Sequence, residues 1–441
     1  MEDAYIINGG NRLEGKIKLS GAKNVALKTI IAGLLFDGPV ILKNIPRIND
    51  VYELIHLIRR LGGQAEFTEK NTVIVNGGHI KKNQVDLLHA SKIRVSFMFF
   101  APLLYKFGQC FIPNPGGCRL GARPINRIVD GMKQLGIKVV YDSSTGYYNA
   151  LMKDRPSGEY TFDKASHTGT ELLIMLAVFS NQKVTVFNPA NEPEIDELID
   201  FLNQGGARIV KNKNSIIIDG VKNLKQTKPF FIQSDRNEAV TYAIMALATK
   251  GEVVLYPIKK ESVRAFIEQI NQCQGIVEDL GNDSWRFRYN NILKSCSIET
   301  GPHPGFMTDW QPPWSLLMTQ ANGQSIIKER IFENRFAYVE ELKKLGAKIE
   351  YLDNKINQPE KYFYFNYDKN KTYRQVIQIN GNSQLHGAVL NIADLRAGAT
   401  LVIGAFVAKG ESVVQGASIV ERGYENFIEK VKSLGGQIKK V

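Results

Sequence analysis

The chain has 441 residues, with 56 Lys and Arg against 44 Asp and Glu, a formal net charge of +12. At roughly 150 residues per domain that length accommodates two or three domains with substantial cores, which excludes a short peptide, a disulfide-stapled miniprotein or a single small module. Hydrophobic residues at 44% and charged residues at 23% are the balance of a folded globular chain and exclude a disordered or low-complexity one.

The N-terminal stretch MEDAYIINGGNRLEG lacks the basic patch and apolar run of a secretory signal, and LVIGAFVA at 401–408 falls well short of the ~18 apolar residues a membrane span needs. The expectation is a soluble, cytoplasmic protein with no membrane partner. Four cysteines, Cys110, Cys118, Cys273 and Cys296, include no CxxC pair, so neither a disulfide framework nor a metal site is expected. The positive surplus fits nucleic acid, anionic lipid, small anionic substrates, or solubility alone.

Along the chain one unit recurs about every 70 residues: GPVILKN from Gly38, GQCFIPN from Gly108, QKVTVFN from Gln182, GEVVLYP from Gly251, GQSIIKE from Gly323 and GESVVQG from Gly410. Each is followed by an amphipathic stretch that ends at a turn and opens a second apolar run: RRLGGQAEF, KQLGIKVVY, NQGGARIVK, NQCQGIVED, KKLGAKIEY and KSLGGQIKK. Glycine past the last periodic residue stops a helix, so each unit predicts strand, helix, turn, strand. More uniformly apolar helices, such as ALKTIIAGLLFDG and AVTYAIMALATKG, precede the units. Six such units predict an α/β (α+β) architecture grouped into two globular domains. The last interval is longer. Within it, 352–375 is charged and rich in Asn and Tyr and reads as a solvated insertion.

Three segments carry chemistry. In LSGAKNVALKT, residues 19–29, Lys23 and Asn24 open an apolar helix behind Gly21, which suits an anion at a helix N-terminus as well as it suits a solvated lysine. In PNPGGCRLGARPINR, residues 113–127, Cys118 stands between glycines and arginines, where positive neighbours favour thiolate. Cys110 and Cys273 fall in strand and helix patterns and read as core. In GPHPGFMTDWQPPW, residues 301–314, Asp309 sits among prolines and tryptophans; it is either a desolvated acid–base group or, with Thr308, the cap of the next helix. Arg94, Arg335, Arg396 and Arg422 recur near the glycine landmarks; brought to one cleft their guanidinium forks would hold a multiply charged anion, and scattered on a surface they would be ordinary solvated charges.

LSGAKN, PGGCRLGARP, HPGFMTDWQ, FENRFAYVEELKKLGA, ADLRAGATLV and ERGYENFIEKVKSLGG, spread over the whole chain in order, resemble the UDP-N-acetylglucosamine 1-carboxyvinyltransferase family. The resemblance implies two inside-out α/β barrels of three repeats each, one from residues 1–22 and 233–441, the other from 23–232, closing on substrate. It implies enolpyruvyl transfer from phosphoenolpyruvate to the 3′-hydroxyl of UDP-N-acetylglucosamine, without metal, cofactor or nucleic acid, by a protein favoured as a monomer. Lys23, Arg123 and Arg422 would hold phosphate, and Arg335 and Arg396 the carboxylate of phosphoenolpyruvate. Asp309 would be the general base and Cys118 the acid or covalent group. Asn24, Lys164 and Ser166 would sit against the sugar and diphosphate, Arg94 and Ile331 would also bind substrate, and Pro124, Ile125, Asn126 and Arg127 would fall in the substrate-binding region that holds the uracil ring. The family usually has Asp and Leu where Asn126 and Arg127 stand, and KASHTGTELL at 164–173 departs from its commoner small-residue form. Enolpyruvyl transfer to another nucleotide such as UMP, or a non-catalytic nucleotide-sugar-binding relative, are the alternatives.

Overall fold

Apolar residues alternate with polar ones in the short strands and surround the preceding helices on every side, a pattern that places sheets with one solvent face over fully buried helices. The computed structural model, which describes residues 3–116, 125–353 and 356–441, has this mixed α/β arrangement. The chain divides into two compact units. One joins the N-terminal residues up to Ser20 to Ser234–Val441; the other consists of the described residues from Gly21 to Gln233.

Each repeat forms one sheet with the same topology. In the first, Val40–Lys43 pairs parallel with Phe230–Phe231 on one side and antiparallel with Thr72–Asn76 on the other, and Gln64–Glu69 is the far edge. The sheets opened by Val184–Phe187, Glu252–Tyr256, Gln324–Lys328 and Gly410–Gln415 repeat this order. In the sheet opened by Gln109–Pro113 the parallel edge shrinks to a single bridge, Gln84 to Phe111.

Edge strands arrive from distant parts of the sequence. Glu14–Lys18 supplies the parallel edge beside Glu252–Tyr256, and Ala4–Gly9 lies between Gly410–Gln415 and Gln437–Lys440. These pairings join the N-terminal strands to the last three repeats, just as Phe230–Phe231 returns to the first.

The turn after each amphipathic helix explains its glycine: Gly62, Gly136, Gly206, Gly346 and Gly435 all have φ between 88° and 101°. In the fourth repeat Gln274 takes the position at φ 64°, at the steric cost glycine avoids. Buried helices fill the centre of each unit. Arg236–Ala248, Gln311–Thr319 and Leu395–Val407 pack on one another in one; Lys23–Ala32, Phe100–Phe107 and His167–Ala177 are buried in the other. Their first residues carry most of the polar side chains described below.

The insertion is not merely solvated. Phe363 and Phe365 are buried and stack at 4.7 Å between ring centroids, and Tyr367 and Tyr373 pack around them. Sequence composition missed this small satellite core because its aromatics are interleaved with charges.

Candidate active-site residues in the two units

In the unit containing Ser234–Val441, a network of ion pairs forms where buried helices begin. Asp394 caps Leu395–Val407, its Oδ1 accepting from the backbone of Arg396 at 3.0 Å and Ala397 at 3.1 Å. The same oxygen pairs with Arg335 Nη1 at 3.4 Å. Arg335 Nη2 reaches Asp309 Oδ1 at 3.2 Å, and its Nε donates to the carbonyl of Thr308 at 3.2 Å. Arg396 Nε holds the other oxygen of Asp309 at 3.2 Å. Asp309 is thus gripped between two guanidinium groups, one from a loop helix and one from the first turn of a buried helix.

Arg335 is fully buried and Arg396 nearly so. Burial alone would pull the Arg335 pKa down, but Asp394, Asp309 and Glu329 outweigh it and hold the charge. For Arg396 burial is likewise outweighed, by Tyr424, Asp309 and Asp235. Arg396 lies over the Tyr424 ring at 5.3 Å, and its buried Nη1 finds no hydrogen-bond partner among the described residues. An orphaned charged donor beside a carboxylate that is 24% exposed is chemically suited to a second carboxylate.

Neither Thr308 nor Asp309 is the cap of Gln311–Thr319. The N-cap is Trp310, with no side-chain cap bond, and Pro312 and Pro313 in the first turn lack the N–H groups that a cap would serve. Thr308 Oγ1 instead donates to Glu329 Oε2 at 3.0 Å. Burial raises the Glu329 pKa against the opposing pull of Arg335.

Several of these groups carry little local signal in the sequence. Asp235 and Asp394 each stand before an apolar helix, the pattern of an N-cap, and this was the available signal. Arg236 is buried beside Trp310, 5.8 Å from its ring, with Nη1 at 3.3 Å from His303 Nδ1. Nothing in their local sequence distinguished Arg236 and His303. Arg422 is half-buried in the turn after Ala417–Val420, and Ile331 is half-buried in the segment leading to Arg335.

In the other unit, Lys23 opens the helix Lys23–Ala32 and pairs with buried Asp50 at 2.6 Å, so it is not a solvated lysine. Asn24 is half-buried beside it in sequence. Gly21 serves the fold: a Cβ there would lie 1.7 Å from the carbonyl oxygen of Asn44. Five residues along, Lys28 pairs with Glu171 at 2.7 Å and approaches His167 Nε2 at 3.3 Å. Burial pulls the His167 pKa down, yet Glu171 and Glu192 outweigh it and raise the value overall, against Lys28.

Ser166 caps His167–Ala177, accepting from the Gly169 backbone at 3.3 Å. Arg127, in the first turn of Asn126–Gln134, pairs with Asp163 at 2.8 Å, and Tyr160 donates to its carbonyl at 3.0 Å. The structure therefore brings Asn126 and Arg127 to the segment holding Lys164 and Ser166, with buried Ile125 as the helix N-cap. Arg94 begins a separate 3-10 helix, Arg94–Phe99. Cys118, Arg123 and Pro124 lie outside the described residues. Cys110 and Cys273 are fully buried, and burial pushes the Cys273 thiol up to about 12. Among the described residues no cluster of His, Cys, Asp and Glu could hold a metal ion, and no helix is long and apolar enough to cross a membrane.

Comparisons with known proteins identify the family of the chain. Residues 7–431 match the family model of EPSP synthase (3-phosphoshikimate 1-carboxyvinyltransferase). The enolpyruvyl transferase NikO from Streptomyces tendae superposes with a TM-score of 0.85 at 20% identity, covering 100% of this chain and 99% of that one. EPSP synthase from Acinetobacter baumannii gives 0.71 at 16%, covering both chains completely. The fold is that of the enolpyruvyl (carboxyvinyl) transferases. The UDP-N-acetylglucosamine 1-carboxyvinyltransferase 1 of Carboxydothermus hydrogenoformans is 36% identical over 442 residues, 100% of this chain and 99% of its own. A UDP-N-acetylglucosamine 1-carboxyvinyltransferase of Coxiella burnetii is 35% identical, over 100% of this chain and 96% of its own. Within the class, the chain belongs to the UDP-N-acetylglucosamine 1-carboxyvinyltransferase family.

Proposed function

We propose that this protein transfers the enolpyruvyl group of phosphoenolpyruvate to the 3′-hydroxyl of UDP-N-acetylglucosamine and releases inorganic phosphate, the first committed step of peptidoglycan precursor synthesis, as a cytoplasmic monomer. The observation that carries this reading is the carboxylate of Asp309 held by Arg335 and Arg396, in a chain of this family.

The acceptor's hydroxyl oxygen bonds to C2 of phosphoenolpyruvate while its proton passes to Asp309, and Cys118 delivers a proton to C3. In the elimination the Cys118 thiolate takes a proton back from C3 as the C2–O bond to phosphate breaks, which restores the double bond, regenerates the thiol and frees inorganic phosphate. Lys23, Arg123 and Arg422 hold the phosphate in this scheme, with Arg335 and Arg396 on the carboxylate. Asn24, Arg94, Lys164, Ser166 and Ile331 line the acceptor, and Pro124, Ile125, Asn126 and Arg127 its base.

A carboxylate paired with two guanidinium groups is a weak base, because both partners stabilise its charged form. Without substrate, Asp309 occupies the anion's place between Arg335 and Arg396. Arrival of the substrate carboxylate exchanges one anion for the other, satisfies the orphaned Nη1 of Arg396, and releases Asp309 to accept the proton. Electrostatic groups fixed in advance reorganise little at the moment of reaction.

Mixing purified protein with phosphoenolpyruvate and UDP-N-acetylglucosamine is expected to release phosphate. Release with UMP and not with the nucleotide-sugar would overturn the acceptor assignment; release with neither would overturn the reaction.

A further inference from the structure

In the repeats opened by Val40, Gln109, Val184 and Glu252, the hairpin between the last two strands turns through residues 70–71, 143–146, 212–214 and 280–284. In the fifth, the chain leaves Lys348–Tyr351 and returns at Val376–Asn380, with residues 352–375 between. The family function assigns this segment nothing, yet its contacts converge on one short turn, Glu329–Phe332, which follows Gln324–Lys328 and leads to Arg335.

The turn is held from two sides. On one, the Glu329 carboxylate accepts from its own turn, Ile331 N at 2.7 Å and Phe332 N at 3.0 Å, while its other oxygen accepts from Thr308, the residue before Asp309. On the other, buried Gln375 ends the insertion, and its Nε2 donates to the carbonyls of Glu329 at 3.1 Å and Phe332 at 3.0 Å. The backbones of Glu329 and Gln375 also bond, at 2.9 Å.

Arg330 fastens the middle. Its guanidinium stacks over Tyr362 at 4.5 Å and Tyr364 at 5.2 Å, donates to the Tyr362 carbonyl at 3.0 Å, and pairs with Glu299 at 2.7 Å. Tyr362 Oη donates to the second oxygen of Glu299 at 2.8 Å, and Tyr364 N to the Arg330 carbonyl at 2.8 Å. Planar stacking combined with a carboxylate is what guanidinium supplies and ammonium does not.

We propose that the 356–375 segment is a clamp built into this chain to set the position of Asp309. It fixes the Glu329–Phe332 turn through Gln375, Tyr362 and Tyr364; Glu329 fixes Thr308; and Thr308 and Arg335 together aim the Asp309 carboxylate. Gln375, Arg330 and Tyr362 are positioning residues that touch no substrate. This rests on the proposed role of Asp309 as base, since displacement of a reacting group by about 1 Å costs up to about a hundredfold in rate.

The test is steady-state phosphate release, together with backbone amide exchange at Arg330–Phe332, for wild type, Gln375→Ala, Tyr362→Ala and Tyr362→Phe. Gln375→Ala and Tyr362→Ala are expected to lower kcat about tenfold with KM for phosphoenolpyruvate within about twofold, any rise in KM falling on the acceptor that Ile331 of the same turn lines, and to lose amide protection at the turn. Tyr362→Phe keeps the stacked ring and is expected to recover most of kcat. Wild-type kcat in Gln375→Ala and Tyr362→Ala, or a lower melting temperature with unchanged kcat, would overturn the clamp. Should an alanine variant fail to fold, Tyr362→Phe and Arg330→Lys decide: the first near wild type and the second slowed supports the clamp, and equal activity in both overturns it. If wild type releases no phosphate, the functional reading fails, while the amide-exchange arm still supports the clamp by lost protection or overturns it by retained protection.

Discussion

Among the described residues, the buried cations of the unit built on the last three repeats are Arg236, Arg335 and Arg396; in the other unit Lys28 is buried and Lys23 nearly so. Arg335 and Arg396 share Asp309 and lean on Asp394, so one carboxylate meets two forks. Lys23 pairs with buried Asp50 and Lys28 with buried Glu171, as point charges. Both solutions satisfy the rule that a buried charge must be paired. They differ in what a ligand can exchange. A guanidinium spreads five donors over a rigid fork and leaves one unserved at Arg396 Nη1 among the described residues, whereas an ammonium carries three donors on one compact centre.

The largest effect falls on the shared carboxylate. Asp309→Asn keeps the shape and removes the base, and kcat is expected to drop by about 10²–10⁴-fold, the usual worth of a general base, in a phosphate-release assay. A drop below about tenfold would remove Asp309 from the chemistry. In the lysine unit the corresponding damage is to stability. Lys28→Met leaves Glu171 buried without its ammonium, which is expected to cost about 3–5 kcal/mol by denaturant unfolding, and the Lys28→Met/Glu171→Leu pair is expected to recover most of that. If the single variant unfolds like wild type, the lysine is not structural and the contrast between the units disappears.

Arg335→Lys tests whether the fork itself matters. It keeps the charge but cannot serve Asp309, Asp394 and Thr308 together, and the expected loss is about 1.5–3 kcal/mol in kcat/KM for phosphoenolpyruvate, roughly 10- to 150-fold. The smallest effect belongs to His167. Its pKa is raised in the folded protein, because Glu171 and Glu192 outweigh burial and Lys28, so its ion pairing stabilises fully below the ordinary histidine range and is lost as pH rises through the folded value. The melting-temperature difference between wild type and His167→Gln is therefore expected to shrink from pH 6 to pH 8.5; a constant difference would mean that His167 titrates alike in the folded and unfolded chain, and growth of the difference with pH would mean that its pKa is lowered by folding.

Much of this was legible in the chain itself. The sixfold strand–helix–turn–strand pattern is visible because glycine or its substitute must take positive φ at the same place in every repeat, and only Gln274 departs from glycine. Arg335, Arg396 and Asp309 stood out by residue type, but their meeting depends on segments 87 residues apart in sequence, which no local pattern encodes. The N-cap reading of Thr308 and Asp309 failed because the prolines in the following turn leave a cap little to bond. The Lys28–Glu171 pair was hidden because its two residues lie 143 positions apart on separate buried helices, and the insertion's order was hidden by its charge. Buried pairs of opposite sign cancel in composition and become visible only in space.

The exchange of carboxylates at Arg335 and Arg396 is tested most directly by a crystal structure of the protein with phosphoenolpyruvate bound and no acceptor present. The expected result is the ligand's carboxylate within hydrogen-bond distance of both guanidinium groups, Arg396 Nη1 included, with Asp309 turned away from at least one of them. Phosphoenolpyruvate bound elsewhere, with both Asp309–arginine pairs intact, would contradict it.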